Sequence, residues 1–341
     1  MKLLAHTPLS VAVVAGRTAW QSFHKGGNYK SPTDNITEED YNFLNRLFNK
    51  YKHLSVAEHL KYTFFMTKEE YDEIEVLDDG YLRKGFRLVA DGIIVDKEYY
   101  VTVDMRWMLE HKEDSDIIKK MIHQAPINHF NLFCGKIYAN VMELDYEPLV
   151  KFSDENVDFL YMHYNPRVPY KDLNIWEHLV YVTLRFKNIS RAMLQELVRH
   201  DDYLAATIKS TRYTLKELKN EREFIWTKPI DHGRVTYHYD FERAKKYVKL
   251  TGDDLVDKVI VTELEDLRKL ILSGKSNDVA KFALPEAYLT EGILTIPIRN
   301  LKNMIALRDS RDALWEFQDV AKQLRKMYEE LKSVALQNIT L

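Results

Sequence analysis

The chain has one cysteine, Cys134, among 341 residues. A lone thiol excludes an intrachain disulfide and any zinc site built on cysteine pairs. Within the apolar run NLFCGKIYANVM it reads as a small buried hydrophobe rather than a nucleophile. Glycine and proline are scarce too, at 11 and 9, which leaves little composition for a long disordered or low-complexity stretch. Neither sign of charge dominates, the formal net charge being −3. Without a global positive field, a nucleic-acid polymer is not an expected partner, whereas a mononucleotide needs only a local basic site. No apolar run approaches the length of a membrane span. The opening MKLLAHTPLSVAVVAG is interrupted by His6, Thr7, Pro8 and Ser10, and the clean run from Val11 to Gly16 is short for a secretory core. The expected location is the cytoplasm, with no membrane partner.

What is present is ordinary for a globular protein: 45% hydrophobic and 30% charged residues. The length suits one large domain or two modest ones. Helical spacing of Tyr41, Leu44, Leu47 and Phe48 predicts a helix over 39–50, with Asn35 to Thr37 as candidate caps. Alternation predicts strands over 58–66 and 179–187. Runs 81–90 and 93–103, joined by Asp91-Gly92, predict a hairpin, and 115–124 predicts a helix. Further helices are expected over 258–272, with Val259, Ile260, Leu264, Leu267 and Ile271 inward, and over 311–332. In the latter, Ala313, Phe317, Val320, Leu324, Met327 and Leu331 form one stripe suited to packing on another helix, in this chain or a neighbouring subunit.

Residues 190–215, SRAMLQELVRHDDYLAATIKSTRYTL, concentrate polar chemistry. Met193, Leu194, Leu197 and Val198 fall on one helical stripe. Gln195 and Arg199, and likewise Glu196 and His200, are four apart and so lie near one another. Lys209, Ser210, Thr211 and Arg212 follow. A guanidinium fork, an ammonium and hydroxyls together suit a phosphate; the alternative is a solvated helix end with ordinary surface charges. His53 and His59, six apart, lack a third ligand by spacing, so no metal is expected.

This segment resembles the signature of flavin-dependent thymidylate synthases: Arg-His-Arg, seven residues, Ser, then x-Arg-Tyr. Arg199, His200, Ser210, Arg212 and Tyr213 match. Two departures stand out: Asp201 replaces the third signature residue, an arginine, and eight residues separate it from Ser210. Three more segments resemble the same family in the same order. They are HTPLSVAVVAGRTAWQSF (6–23), KHLSVAEHLKYTFFM (52–66), and 277–324, which follows an Ala-x-x-x-Leu-Pro and Asn-x-x-x-x-Arg…Trp-Glu pattern. Glu58-His59-Leu60 and Glu177-His178-Leu179 both open strands of the kind that, in compact members, runs straight into the signature helix. The resemblance therefore implies a core of 1–66 and 177–341, with 67–176 as an insertion that serves as a rim, a subunit contact or a substrate lid.

The implied fold is α/β (α+β): a central, largely antiparallel sheet with surrounding helices and an inserted β-rich segment. The implied activity is reductive methylation of dUMP to dTMP, with FAD as cofactor, NADPH and methylenetetrahydrofolate as co-substrates, and a homotetramer sharing its sites between subunits. The resemblance places Arg308 beside the uracil ring, where a fixed positive charge stabilises a ring anion. On spacing alone Arg308 could equally pair with Asp309 or Asp312. It assigns substrate to Glu196, Arg199, Lys209, Ser210, Thr211, Arg212 and Lys281, with Arg199 bridging to the flavin. FAD falls to His53, Ser55, Arg199, His200, Arg299 and Asn303. Lys281 stands where many members have arginine, Glu196 where glutamine is frequent, and Pro297 where an asparagine often meets flavin. Asp201 puts like charge near anionic phosphates, which Arg311 is placed to offset. The altered loop also fits a related enzyme delivering another one-carbon group, such as hydroxymethyl, or a nucleotide-binding homologue without catalysis.

Overall fold

The structure is a computed structural model. It describes residues 1–77, 87–88, 98–140, 151–164, 176–177, 179–200, 205–230 and 234–339. The elements of the first half are β1 (Lys2–His6), α1 (Leu9–Trp20), α2 (Glu38–Asn45), β2 (Lys61–Thr67), α3 (Lys68–Glu75), β3 (Arg87–Leu88), β4 (Glu98–Asp104), α4 (Met105–His111), α5 (Asp116–His123) and α6 (Ile127–Phe133). The second half has β5 (Val157–His163), β6 (Tyr181–Ser190), α7 (Arg191–Leu197), β7 (Ala205–Ile208), α8 (Thr211–Thr214), β8 (Ile225–Pro229), β9 (Val235–Tyr239), α9 (Phe241–Ala244), α10 (Asp254–Leu272), α11 (Asn277–Ala280), β10 (Leu289–Pro297), α12 (Ile298–Arg308) and α13 (Trp315–Ile339).

Local chemistry explains where these elements start. The Thr37 hydroxyl accepts from the Asp40 amide and acidic residues fill the first turn of α2, which suits the positive end of a helix. Thr67 and Glu70 form a reciprocal capping box that turns β2 directly into α3. Gly16 lets α1 press on α2, since a Cβ there would lie 2.8 Å from the Phe43 ring. Among the described residues the strands form two four-stranded antiparallel sheets, ordered β1-β2-β4-β3 and β5-β6-β10-β7, plus the β8-β9 hairpin. The fold is thus α+β with antiparallel sheets, as expected. Among its described residues, segment 67–176 supplies four helices as well as strands, and it enters both sheets: β4 runs along β2 from Asp104↔Lys61 to Glu98↔Thr67, and β5 runs along β6.

Each sheet has its own apolar core. Leu9, Tyr41, Phe64, Trp107 and Met121 belong to the first, and Leu184, Leu294, Met304, Phe317 and Leu331 to the second. A third cluster, with Leu218, Phe224, Val261 and Leu267, lies beneath the hairpin and α10. Apolar side chains such as Ile293 and Leu160 of the second sheet reach the first core, and polar contacts also link the two halves. His59 joins Thr207 (3.0 Å) and Thr295 (2.8 Å). His163 joins Thr63 (2.7 Å) and Thr7 (3.3 Å). The Lys61 ammonium lies 3.2 Å from Asp104 and 5.1 Å from the Tyr181 ring. Burial, aided by nearby Lys61, pushes both histidines down to about 3 and keeps them neutral. Burial pushes Asp104 up to about 6 against the pull of Lys61.

Several sequence expectations are corrected. Cys134 is exposed, not buried, because it terminates α6 where the chain leaves the core. Val198 is exposed because α7 ends at Leu197. Val259 lies on the outer face of α10, 52% exposed. α13 starts at Trp315, so Ala313 precedes it, and its stripe packs on α12 and β5 of the same chain. The Asp91-Gly92 turn lies outside the described residues, although β3 does pair with β4.

Candidate active site

The β6-to-α7 junction carries the signature helix. Ser190 caps α7 by accepting from the Met193 amide (3.0 Å). Its own N–H donates to Glu316 Oε1 (2.8 Å) and its hydroxyl to Oε2. Glu316 is buried in the first turn of α13. A carboxylate that accepts from both groups of a cap residue clamps α7 to α13 and fixes where the end of α7 points.

At that end stand Glu196, Arg199 and His200. The Arg308 side chain, at the end of α12, is only 18% exposed and ion-pairs with Glu196 at 2.8 Å. Its Nε–H donates to His200 Nε2 at 2.9 Å, which assigns the imidazole proton to Nδ1. Phe317 backs both groups: the guanidinium carbon is 5.2 Å from its ring centre and the His200 ring meets it edge-on at 6.1 Å. Arg308 is therefore held by Glu196 and His200, while Asp309 pairs with Arg325. Arg199, 73% exposed, reaches Glu196 at 3.4 Å and otherwise faces solvent. Along the exposed side of α12, Arg299 and Asn303 sit one turn apart.

A second group surrounds α8. The Ser210 amide donates to the Ala19 carbonyl (2.9 Å), tying the loop to the end of α1. Lys209 lies 3.8 Å from Glu217. Thr211 opens α8. Arg212 pairs with Asp278 at 2.8 Å, both more than half exposed, and its carbonyl accepts from the Asn277 side chain. Lys281 follows α11 directly, its ammonium 5.6 Å from the Phe282 ring. Such an exposed ion pair contributes little to stability, so Arg212 can exchange Asp278 for a phosphate at small cost.

A third group lies at the C-terminal end of α1. His53 packs edge-on against Trp20 at 5.7 Å. Both border a cleft of about 430 Å³ with Phe43, Tyr51, Arg46 and Lys25 along its wall. Ser55 is exposed two residues further on. Trp20, Arg46 and Tyr51 were not singled out from sequence. Their available signal was an aromatic residue at the polar end of α1 and a mixed basic-aromatic stretch, RLFNKYKH. Ser190 and Glu316 were missed as well, since nothing local joins positions 126 apart. Asp201 lies outside the described residues.

The Thymidylate synthase complementing protein family model matches residues 140–335. A flavin-dependent thymidylate synthase of Wolinella succinogenes is 46% identical over 156 residues, 46% of this chain and 70% of that protein. One from Campylobacter jejuni strain RM1221 is 44% identical over 155 residues, 46% of this chain and 68% of its own length. The solved thymidylate synthase X from Helicobacter pylori with FAD and dUMP aligns along the whole of both chains, at 22% identity and a TM-score of 0.40. The family match spans more than half of the chain, and the relatives are matched over more than two thirds of their length; the chain belongs to the flavin-dependent thymidylate synthase family.

Proposed function

We propose that the chain reductively methylates dUMP to dTMP, using FAD as cofactor and NADPH and methylenetetrahydrofolate as co-substrates. The supporting observation is the arrangement at Arg308. A permanently charged guanidinium, mostly buried, is aimed by His200 and Glu196 at the end of the signature helix. Poised beside uracil, such a charge stabilises negative charge on the ring as the 5-carbon becomes nucleophilic. Ser210, Arg212 and Lys281 hold the 5′-phosphate in this reading, with Lys209 and Thr211 beside them and Arg199 bridging to the cofactor.

The donor set fits FAD. The cleft at His53 combines aromatic walls with cations, as an anionic aromatic dinucleotide requires. Ser55, Arg299 and Asn303 add exposed polar groups, and His200 completes the assigned set. When bound, FAD supplies the relay of the one-carbon unit and of hydride; this chain supplies binding, orientation and electrostatics. The contacts divide the assigned residues into three groups, at α7–α12, α8–α11 and α1. We assign their completion to a homotetramer in which neighbouring subunits bring these groups together, with 67–176 as an insertion in a core made of 1–66 and 177–341.

The test is direct. Purified protein should be yellow and should convert dUMP to dTMP when given NADPH and methylenetetrahydrofolate. Arg212→Ala should weaken dUMP binding by about 2 kcal/mol and deoxyuridine binding by much less. Equal losses for nucleotide and nucleoside would remove the phosphate assignment. A product heavier than dTMP by one oxygen would replace methylation with hydroxymethyl transfer.

A further inference from the structure

We propose that His6, Asp34 and His129 form a binding site for one divalent transition-metal ion of the zinc class. The three residues come from the end of β1, the loop before α2, and α6. Asp34 takes one imidazole on each oxygen: His6 Nε2 lies 2.7 Å from Oδ2 and His129 Nε2 lies 2.7 Å from Oδ1. One donor atom from each residue falls within 4.8 Å of the others. Two imidazole nitrogens and a carboxylate are the donor set of open zinc sites, which keep a fourth position for water.

The surroundings fit a metal as well as the donors do. Asp34 and His129 are essentially buried, at 2% and 0% side-chain exposure, while His6, at 18%, leaves a way in from solvent. The outer contacts are made too. Tyr62 Oη lies 2.6 Å from His129 Nδ1, and the Leu9 amide donates to Asp34 Oδ1 at 2.8 Å. Partners of this kind orient metal ligands. The two imidazoles meet edge-on, with ring centres 5.0 Å apart.

Zinc bonds of about 2.0–2.2 Å at tetrahedral angles spread neighbouring donors to roughly 3.3 Å. The His6–Asp34 and His129–Asp34 separations, both 2.7 Å, must therefore each widen by about 0.6 Å, and His6, the partly exposed ligand, is the freest to move. Each imidazole then binds through Nε2 with its proton on Nδ1, and at His129 that proton donates to the Tyr62 oxygen. The ion would pin α6 to the N-terminal strand.

The experiment is a titration of the full chain, first stripped with chelator, using Co²⁺ as a visible-absorption probe and Zn²⁺ by calorimetry. One equivalent should bind per chain, with the intense spectrum of low-coordinate cobalt and a higher thermal midpoint. His129→Gln and His6→Gln should each lower affinity at least about a hundredfold, and Tyr62→Phe about ten- to a hundredfold. If His129→Gln does not fold, His6→Gln decides alone, because His6 is partly exposed at a strand end. Absence of saturable uptake overturns the proposal. So does uptake that His6→Gln leaves unchanged. A third overturning result is substitutions that lower thermal stability while cobalt keeps its hydrated spectrum, which would make the triad a hydrogen-bond bridge.

Discussion

At the scale of single residues, the proposed function rests most heavily on Arg308. Its partners Glu196 and His200 fix its direction, so its charge is in place before any ring charge develops. Arg308→Ala should lower turnover at saturating dUMP by about 10²–10³-fold, the range for losing one preorganised donor. Arg308→Lys should recover part of it, because charge returns without the fork. Steady-state kinetics separates the outcomes: a change confined to the Michaelis constant would make Arg308 a uniform binding residue. The buried histidines make a different claim. His59 and His163 titrate near 6.5 when unfolded and near 3 when folded. The folded state therefore excludes their protons. Their stabilisation is complete above about pH 6.5 and is lost as pH falls toward 3. Asp104, raised to about 6, acts in the opposite sense below pH 6 and offsets one of the two. Urea midpoints should fall between pH 6.5 and 4, and His59→Gln should flatten the slope by up to about 1.4 kcal/mol per pH unit. Midpoints that do not change over that range would contradict the buried, neutral assignment.

At the scale of elements, the signature helix α7 is short, seven residues, and short helices draw little stability from propensity alone. Its position rests on the cap at Ser190 and the clamp from Glu316 on α13. Ser190→Ala should cost about 1 kcal/mol in the denaturation midpoint. Glu316→Ala should cost about 2–3 kcal/mol, because it leaves a buried backbone donor without its acceptor. Both should lower turnover beyond the stability loss, since Glu196, Arg199 and His200 ride on the end of this helix. Full activity in folded Glu316→Ala would show that α7 is positioned by its apolar face, Met193 and Leu197, without the clamp.

At the scale of the whole molecule, the proposed homotetramer would bring the three groups of assigned residues into one site. Light scattering should give four chains per particle, and flavin occupancy should fall with dissociation on dilution. A monomer that keeps its flavin would place the entire FAD site within one chain. Asp201 enters here. FAD should wash out on desalting more readily than from relatives with arginine at that position, and Asp201→Arg should tighten rebinding by about ten- to a hundredfold, one charged hydrogen bond. Unchanged affinity would mean that the longer loop carries residue 201 away from the cofactor.

Local rules carried much of this architecture. The cap at Thr37, the alternation of β2 and β6, the helix over 115–124 and the stripe of α13 depend on neighbours within a few residues, so period and capping chemistry make them legible. Family membership was legible as well, because four ordered motifs lie in contiguous stretches. Boundaries were less so: Val198, Val259 and Ala313 were placed inward because a stripe in sequence does not say where its helix stops or how wide a face its neighbour covers. Cys134 was misplaced for the same reason. Only the tertiary structure could choose Glu196 and His200 over Asp309 for Arg308, join Ser190 to Glu316, or gather His6, Asp34 and His129. Each of these contacts spans from 28 to 126 positions. No periodicity extends that far, and the choice among equally charged partners is made by how β6, α12 and α13 pack.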